Sequence, residues 1–212
     1  MASTIEVDTI KDIGGNTIIS SNGSGTFTSN LPASGATLTG STNNQVVTVT
    51  GANAITGETN LIFDGTTLTK PLQPGFSATK STSAQAVNAA YVSVNFNNEI
   101  WDNNADWNGS TTFTAPVTGK YMFTGAMRIN SILAQGGSVF GRINTSNRPY
   151  VFGNITDADD VFNATTAQYQ FQGAVVADMD ASDTATLDFF SNFATTIAAD
   201  PERVWFQGYL LG

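Results

Sequence analysis

A chain of 212 residues with 17 acidic and 8 basic side chains carries a net charge of −9, and a polyphosphate backbone repels a surface of that sign, so no nucleic-acid partner is expected. Neither cysteine nor histidine occurs, which removes disulfides, thiolate nucleophiles, the usual zinc ligand sets and histidine acid–base chemistry. Charged residues make up only 12%, while Gly, Ser, Thr and Asn crowd the sequence, a balance that suits strands and tight turns; the expectation is an all-β chain without a cofactor.

The opening, MASTIEVDTIKDIGG, holds no basic leader and no apolar h-region, and no later apolar run is long enough to span a bilayer. Neither export by a visible signal nor membrane insertion is expected. Up to residue 73 the chain reads as short apolar pairs set in Gly, Ser, Thr and Asn, with Phe27 and Phe63 as its only aromatics. Two hairpins are predicted there. LIFDGTTLT places Asp64 and Gly65 between β-prone pieces, and TIKDIGGNTII does the same more weakly with Gly14, Gly15 and Asn16. A segment so poor in large side chains does not alone offset an ordering cost of about 1–2 kcal/mol per residue. It is expected to be held by partner chains, as an anchoring segment over 1–30 and a β-rich stem or linker over 31–73.

From residue 74 the alternation strengthens. YVSVNF puts Val92, Val94 and Phe96 on one face, and GKYMFTGAMRI groups Tyr121, Phe123, Met127 and Ile129. QYQFQGAVVADM groups Tyr169, Phe171, Val175 and Met179, with three glutamines and Asp178 opposite. TATLDFF and VWFQGYLL continue the period of two, and no run combines helical spacing, caps and length. Residues 74–212 are therefore expected to form an antiparallel jelly-roll sandwich. In the last strand Val204, Phe206 and Leu210 face one way, and Trp205, Tyr209 and Leu211 the other. A strand apolar on both faces is buried on both, so the second face is expected to meet a neighbouring subunit.

Candidate chemistry is sparse. TDADD (Asp157, Asp159, Asp160) and DMDASD (Asp178, Asp180, Asp183) offer oxygen-rich turns without the spacing of a known calcium loop. No nucleophile–base pair is visible, so neither a metal site nor an enzyme is expected. In EIWDNNADWNGS, Trp101 and Trp107 offer aromatic faces beside amides; Trp101 is the candidate ligand contact, and the resemblance described next assigns Trp107 to a core slot.

The order Phe96, Asp102, Trp107, Phe113, Ala115, Pro116, Gly119, Tyr121, Phe123, with the ending Phe206, Gly208, Tyr209, Leu210, resembles the signature of the C1q-like head domain. That family belongs to the jelly-roll superfamily that includes tumour necrosis factor. The gap from Trp107 to Phe113 is one residue shorter than usual, and Gly125 stands where an aromatic is usual. The resemblance covers roughly residues 74–212. It implies a homotrimer with the final strands, hence Trp205, Tyr209 and Leu211, near the three-fold axis.

STIEVDTIKDIGGNTIISSNGSGT and LTGSTNNQVVTVTGANAITGETNLIFDGTTLT resemble segments that recur in fibre and other structural proteins of tailed phages, marine and cyanobacterial ones especially. Together with the C1q-like part, they imply a virion structural protein. On this expectation the N-terminal segment docks onto other capsid or tail proteins, and the head of a trimeric surface fibre or decoration protein contacts a host glycan or protein. The alternative is a soluble cellular C1q-like module that binds glycans or proteins.

Overall fold

The computed structural model describes residues 9–21, 24, 27–29, 37–39, 42–52, 54–132, 137–161 and 167–211. The chain divides into two units, Met1–Lys70 and Pro71–Gly212.

In the first unit β1 (Thr9–Lys11), β2 (Thr17–Ser21) and β3 (Phe27–Ser29) form one antiparallel sheet. Asp12 closes the first turn: its two carboxylate oxygens accept from the backbone N–H and the side-chain amide of Asn16, while Gly15 takes the left-handed conformation. A second sheet contains β4 (Thr37–Thr39), β5 (Gln45–Gly51), β6 (Ala54–Phe63) and β7 (Leu68–Thr69), with β4 parallel to β6 and the other pairs antiparallel. The predicted Asp64-Gly65 hairpin is present. Asp64 Oδ1 accepts from the N–H groups of Thr66 and Thr67, which sets a four-residue loop rather than a two-residue one. Val47, Val49, Phe63 and Leu68 are exposed, and among the described residues of this unit no side chain is fully buried. Among the described side chains these sheets show no buried core.

The second unit contains β8 (Gly75–Thr79), β9 (Gln85–Val87), β10 (Ala90–Ser93), β11 (Asn98–Asp102), β12 (Thr112–Thr114), β13 (Gly119–Ile132), β14 (Val139–Thr145), β15 (Pro149–Ile155), α1 (Ala158–Val161), β16 (Ala167–Met179), β17 (Thr184–Ser191), β18 (Thr195–Ile197) and β19 (Trp205–Leu210). They form two sheets. In the seven-stranded one, β16 runs along one edge of β13, and β19 and β18 share the other; β8 and then β11 lie beyond β19, and β9 beyond β18. In the five-stranded one, β10 and β12 share one edge of β17, with β14 and then β15 on the other side. The result is an all-β jelly roll. The single turn of α1 is a departure from the sequence pattern, which shows no helical period.

Alternation fixes the core. Tyr121, Phe123, Met127 and Ile129 of β13 point inward and meet Ile143, Leu187, Phe189, Phe206 and Phe76 from the facing and neighbouring strands, all fully buried. Aromatic rings carry much of it: Phe76 stacks on Trp107 at 4.6 Å and on Phe113 at 5.1 Å, and Phe123 stacks on Phe206 at 5.9 Å. Such pairs contribute about 0.5–1.5 kcal/mol each beyond their area burial. Gly125, where the family pattern has an aromatic, also faces inward. A Cβ there would lie 2.9 Å from Leu187 Cδ1, so Leu187 and Phe206 already fill the space an aromatic would need.

Candidate functional site

The strand β19 sends Phe206 and Gly208 into the core and presents Trp205, Gln207 and Tyr209 on the outer side of the seven-stranded sheet. Register then decides the neighbours. Tyr209 pairs with Met122 of β13 on one side and Gly75 of β8 on the other, and Met122 pairs with Val176 of β16. Gly75 has no side chain, and the Trp101 ring lies over it beside Tyr209: a Cβ on Gly75 would come within 3.2 Å of Trp101 Cζ3 and of Tyr209 Cβ.

The outcome is an apolar row across the outer face, Val176, Met122, Tyr209 and Trp101, continued by Leu211 beyond the strand end. Relative exposures are 52% for Val176, 43% for Tyr209, 39% for Trp101 and 47% for Leu211. The Lys120–Asp178 pair, 3.4 Å apart, lies next to one end of the row. Beside it runs a neutral polar row, where Gln207 Nε2 donates to Thr124 Oγ1 at 3.1 Å. Half-exposed side chains of this size gain about 1 kcal/mol each when a partner surface removes them from water. The chemistry available here is contact.

Trp101, expected as a ligand contact, and Tyr209 and Leu211, expected at a subunit contact, thus share one surface; Trp205 is half-buried on the same side. Met122 and Val176 complete the row and were missed in the sequence. They sit at the outward positions of strands whose inward positions carry the recognisable pattern, and only cross-strand register brings them to Tyr209.

The remaining residues of the family pattern lie in or around the core. Phe96, Phe113, Tyr121, Phe123, Phe206 and Trp107 are buried, Gly208 is buried within β19, Pro116 is half-buried, and Gly119 opens β13. Asp102 holds Trp107 in place: Oδ2 accepts from the Trp107 N–H at 3.0 Å and Oδ1 from the Asp106 N–H at 3.1 Å. Gly208 cannot be replaced without movement, since a Cβ would lie 2.4 Å from Phe123 Cδ1. Asp106 was not singled out in the sequence. Its Oδ2 is buried without a hydrogen-bond partner, and burial, with the nearby Asp102 charge, pushes its carboxyl above the ordinary value.

The acidic turn at 178–183 ties loops together. Asp183 accepts from Ser146 Oγ, Asn147 Nδ2 and the Asp180 N–H, each at 2.7 Å. The Ser146 hydroxyl first, then the Asp180 N–H, hold its carboxyl below the ordinary range. Among the described residues no group of three or more acidic side chains is placed to hold a metal ion. The side chains of Asp159 and Asp160 lie outside the described residues.

No protein-family model and no curated protein matches the sequence. Solved structures resemble 66% of the chain. They include the globular domain of zebrafish complement 1qA protein, 20% identical, with 98% of that chain covered and a TM-score of 0.46. Murine APRIL at pH 8.0 is 8% identical over 99% of its chain with a TM-score of 0.48, and Eiger TNF from S. frugiperda is 10% identical over 93% with a TM-score of 0.43. The jelly-roll unit of this chain is similar to C1q/TNF-like domains.

Proposed function

We propose that the chain is a homotrimeric surface protein of a tailed-phage particle, a fibre, knob or decoration protein. Its N-terminal residues dock it to other virion proteins, and its jelly-roll unit makes contact with a host surface, without chemistry of its own. The observation that carries the assembly is the apolar row of Val176, Met122, Tyr209, Trp101 and Leu211, left open to solvent on a sheet whose other face is fully packed. A second observation agrees with it: the sheets of the first unit expose Val47, Val49, Phe63 and Leu68, apolar side chains that further copies would cover. The phage assignment rests on the resemblance of the first 70 or so residues to fibre segments.

Two measurements test the reading. Sedimentation equilibrium of the intact protein is expected to return three times the 22.3 kDa chain mass; a monomer at micromolar concentration removes the assembly. Gold-tagged antibody against residues 74–212 is expected to decorate particles, over the capsid for a decoration protein and at the tail for a receptor-binding one. Bare particles with an accessible epitope remove the virion assignment and leave a cellular binding module.

A further inference from the structure

At the far end of the same outer face lies a second feature of opposite character. Arg128 points outward from β13, six positions and about 20 Å along the strand from Met122. Asp200 and Arg203 belong to the turn that leads into β19, closed by the Arg203 and Val204 N–H groups donating to the Asp200 carbonyl. One carboxylate oxygen, Asp200 Oδ2, lies between both guanidiniums: it accepts from Arg203 Nη1 at 2.9 Å and forms an ion pair with Arg128 Nη1 at 2.8 Å. The other, Oδ1, accepts from the Glu202 N–H at 3.2 Å.

Two guanidiniums share one ion-paired carboxylate, and Glu202 in the same turn forms no ion pair with either of them. No other ion pair to either arginine is present among the described residues. Each guanidinium carries five N–H donors, and Asp200 engages one nitrogen of each. Arg128 Nε makes no hydrogen bond, so that side chain is held by its head alone. Arg142 differs: Nε and Nη2 both reach Asp188, and its plane lies over the Tyr91 ring.

Arg128 and Arg203 border a hollow of about 290 Å³ whose other walls are Gln168, Tyr169 and Gln170. Gln170 is directly across from Arg128 in the β13–β16 register. The hollow thus combines a planar, charge-assisted donor set for a carboxylate and two side-chain amides that both donate and accept. Its size, just under the roughly 300–1,000 Å³ of drug-sized sites, admits one sugar ring and little more.

We propose that this hollow binds an acidic saccharide unit, a hexuronic acid, with Arg128 and Arg203 on its carboxylate and Gln168 and Gln170 on its ring hydroxyls. The site stands apart from the apolar row and does not depend on the virion assignment.

Saturation-transfer NMR on the full chain, with glucuronate, glucose, acetate and sulfate as separate probes, tests it. Glucuronate is expected to show transfer and glucose none. Arg203→Gln, at a half-exposed side chain that the fold does not need, is expected to weaken glucuronate binding about tenfold or more. Gln168→Ala with Gln170→Ala, both exposed, is expected to reduce the preference for glucuronate over acetate while acetate binding persists. Absence of transfer from glucuronate overturns the site, as does binding that Arg203→Gln leaves unchanged. Sulfate or acetate binding as tightly as glucuronate overturns the saccharide assignment. A fall in oligomer mass on Arg203→Gln with no glucuronate binding to the unmodified chain reassigns the arginines to a neighbour's carboxylate.

Discussion

The hydroxyl of Tyr209 donates to the thioether sulfur of Met122 at 3.3 Å, across the β13–β19 pair on the side of the sheet away from the core. A tyrosine that could point its hydroxyl into water instead lies along the sheet and widens the flat apolar row, the shape that suits another protein surface.

Tyr209→Asp is expected to convert the proposed trimer to monomers, because a carboxylate in the apolar contact proposed there would have no partner and its desolvation would cost several kcal/mol. The jelly-roll unit stays folded, since Phe206 and Gly208 keep the inner side of β19. Sedimentation velocity with far-UV circular dichroism reads both at once, and a folded trimer refutes the placement of Tyr209.

Gly208→Ala is expected to destabilise the jelly-roll unit by about 1–3 kcal/mol through overpacking. The added methyl meets Phe123 at 2.4 Å and Phe76 at 3.1 Å, two buried rings with no free direction to move. The urea midpoint of the variant against the unmodified chain measures it; an unchanged midpoint shows that the rings yield.

Asp188, 4% exposed on β17, accepts from Arg142 Nε and Nη2 on one oxygen and from Ser93 Oγ and Thr186 Oγ1 on the other. Asp188→Ala is expected to cost about 3–5 kcal/mol, since it strands the guanidinium. Adding Arg142→Met should recover much of the loss. A double-mutant cycle checks this, and strictly additive losses would mean that the pair is not coupled.

The raised folded-state value of Asp106 sets a sign. Its protonated form is favoured by folding, so its contribution is fully present below the unfolded-state value and is lost as pH rises through the folded-state one. At neutral pH the ionised group therefore opposes folding. Asp106→Asn is expected to be more stable than the unmodified chain at pH 7, with the difference shrinking as pH falls through the acidic range. Thermal midpoints of the two proteins across that range decide it. A constant difference assigns the effect to packing.

Period-two alternation was enough to read the inward faces of β13, β16, β17 and β19, and with them the sandwich, because each strand carries its own record of which side is buried. Features built from register were not readable. Leu187 filling the space at Gly125, Met122 beside Tyr209, and Arg128 meeting Arg203 through Asp200 depend on which residue of one strand lies opposite which of another. Nothing in TATLDFF names a partner for Asp188, and only the third dimension supplied Arg142. Trp107 was assigned to the core through the resemblance to the C1q-like pattern, whose aromatic slot it fills, and it is buried there.

The pairing of β19 between β8 and β13 has a consequence for how the protein is made. The unit's last strand in chain order occupies the middle of its sheet, bonded on one side to the unit's first strand, and Phe76 and Phe206 meet edge to face at 5.1 Å. During translation the sheet therefore stays split into two halves until β19 emerges, a long wait imposed by high contact order. A chain cut short of residue 205 therefore presents an open seam, with the edges of β8 and β13 that β19 would bridge left without their ladder partners.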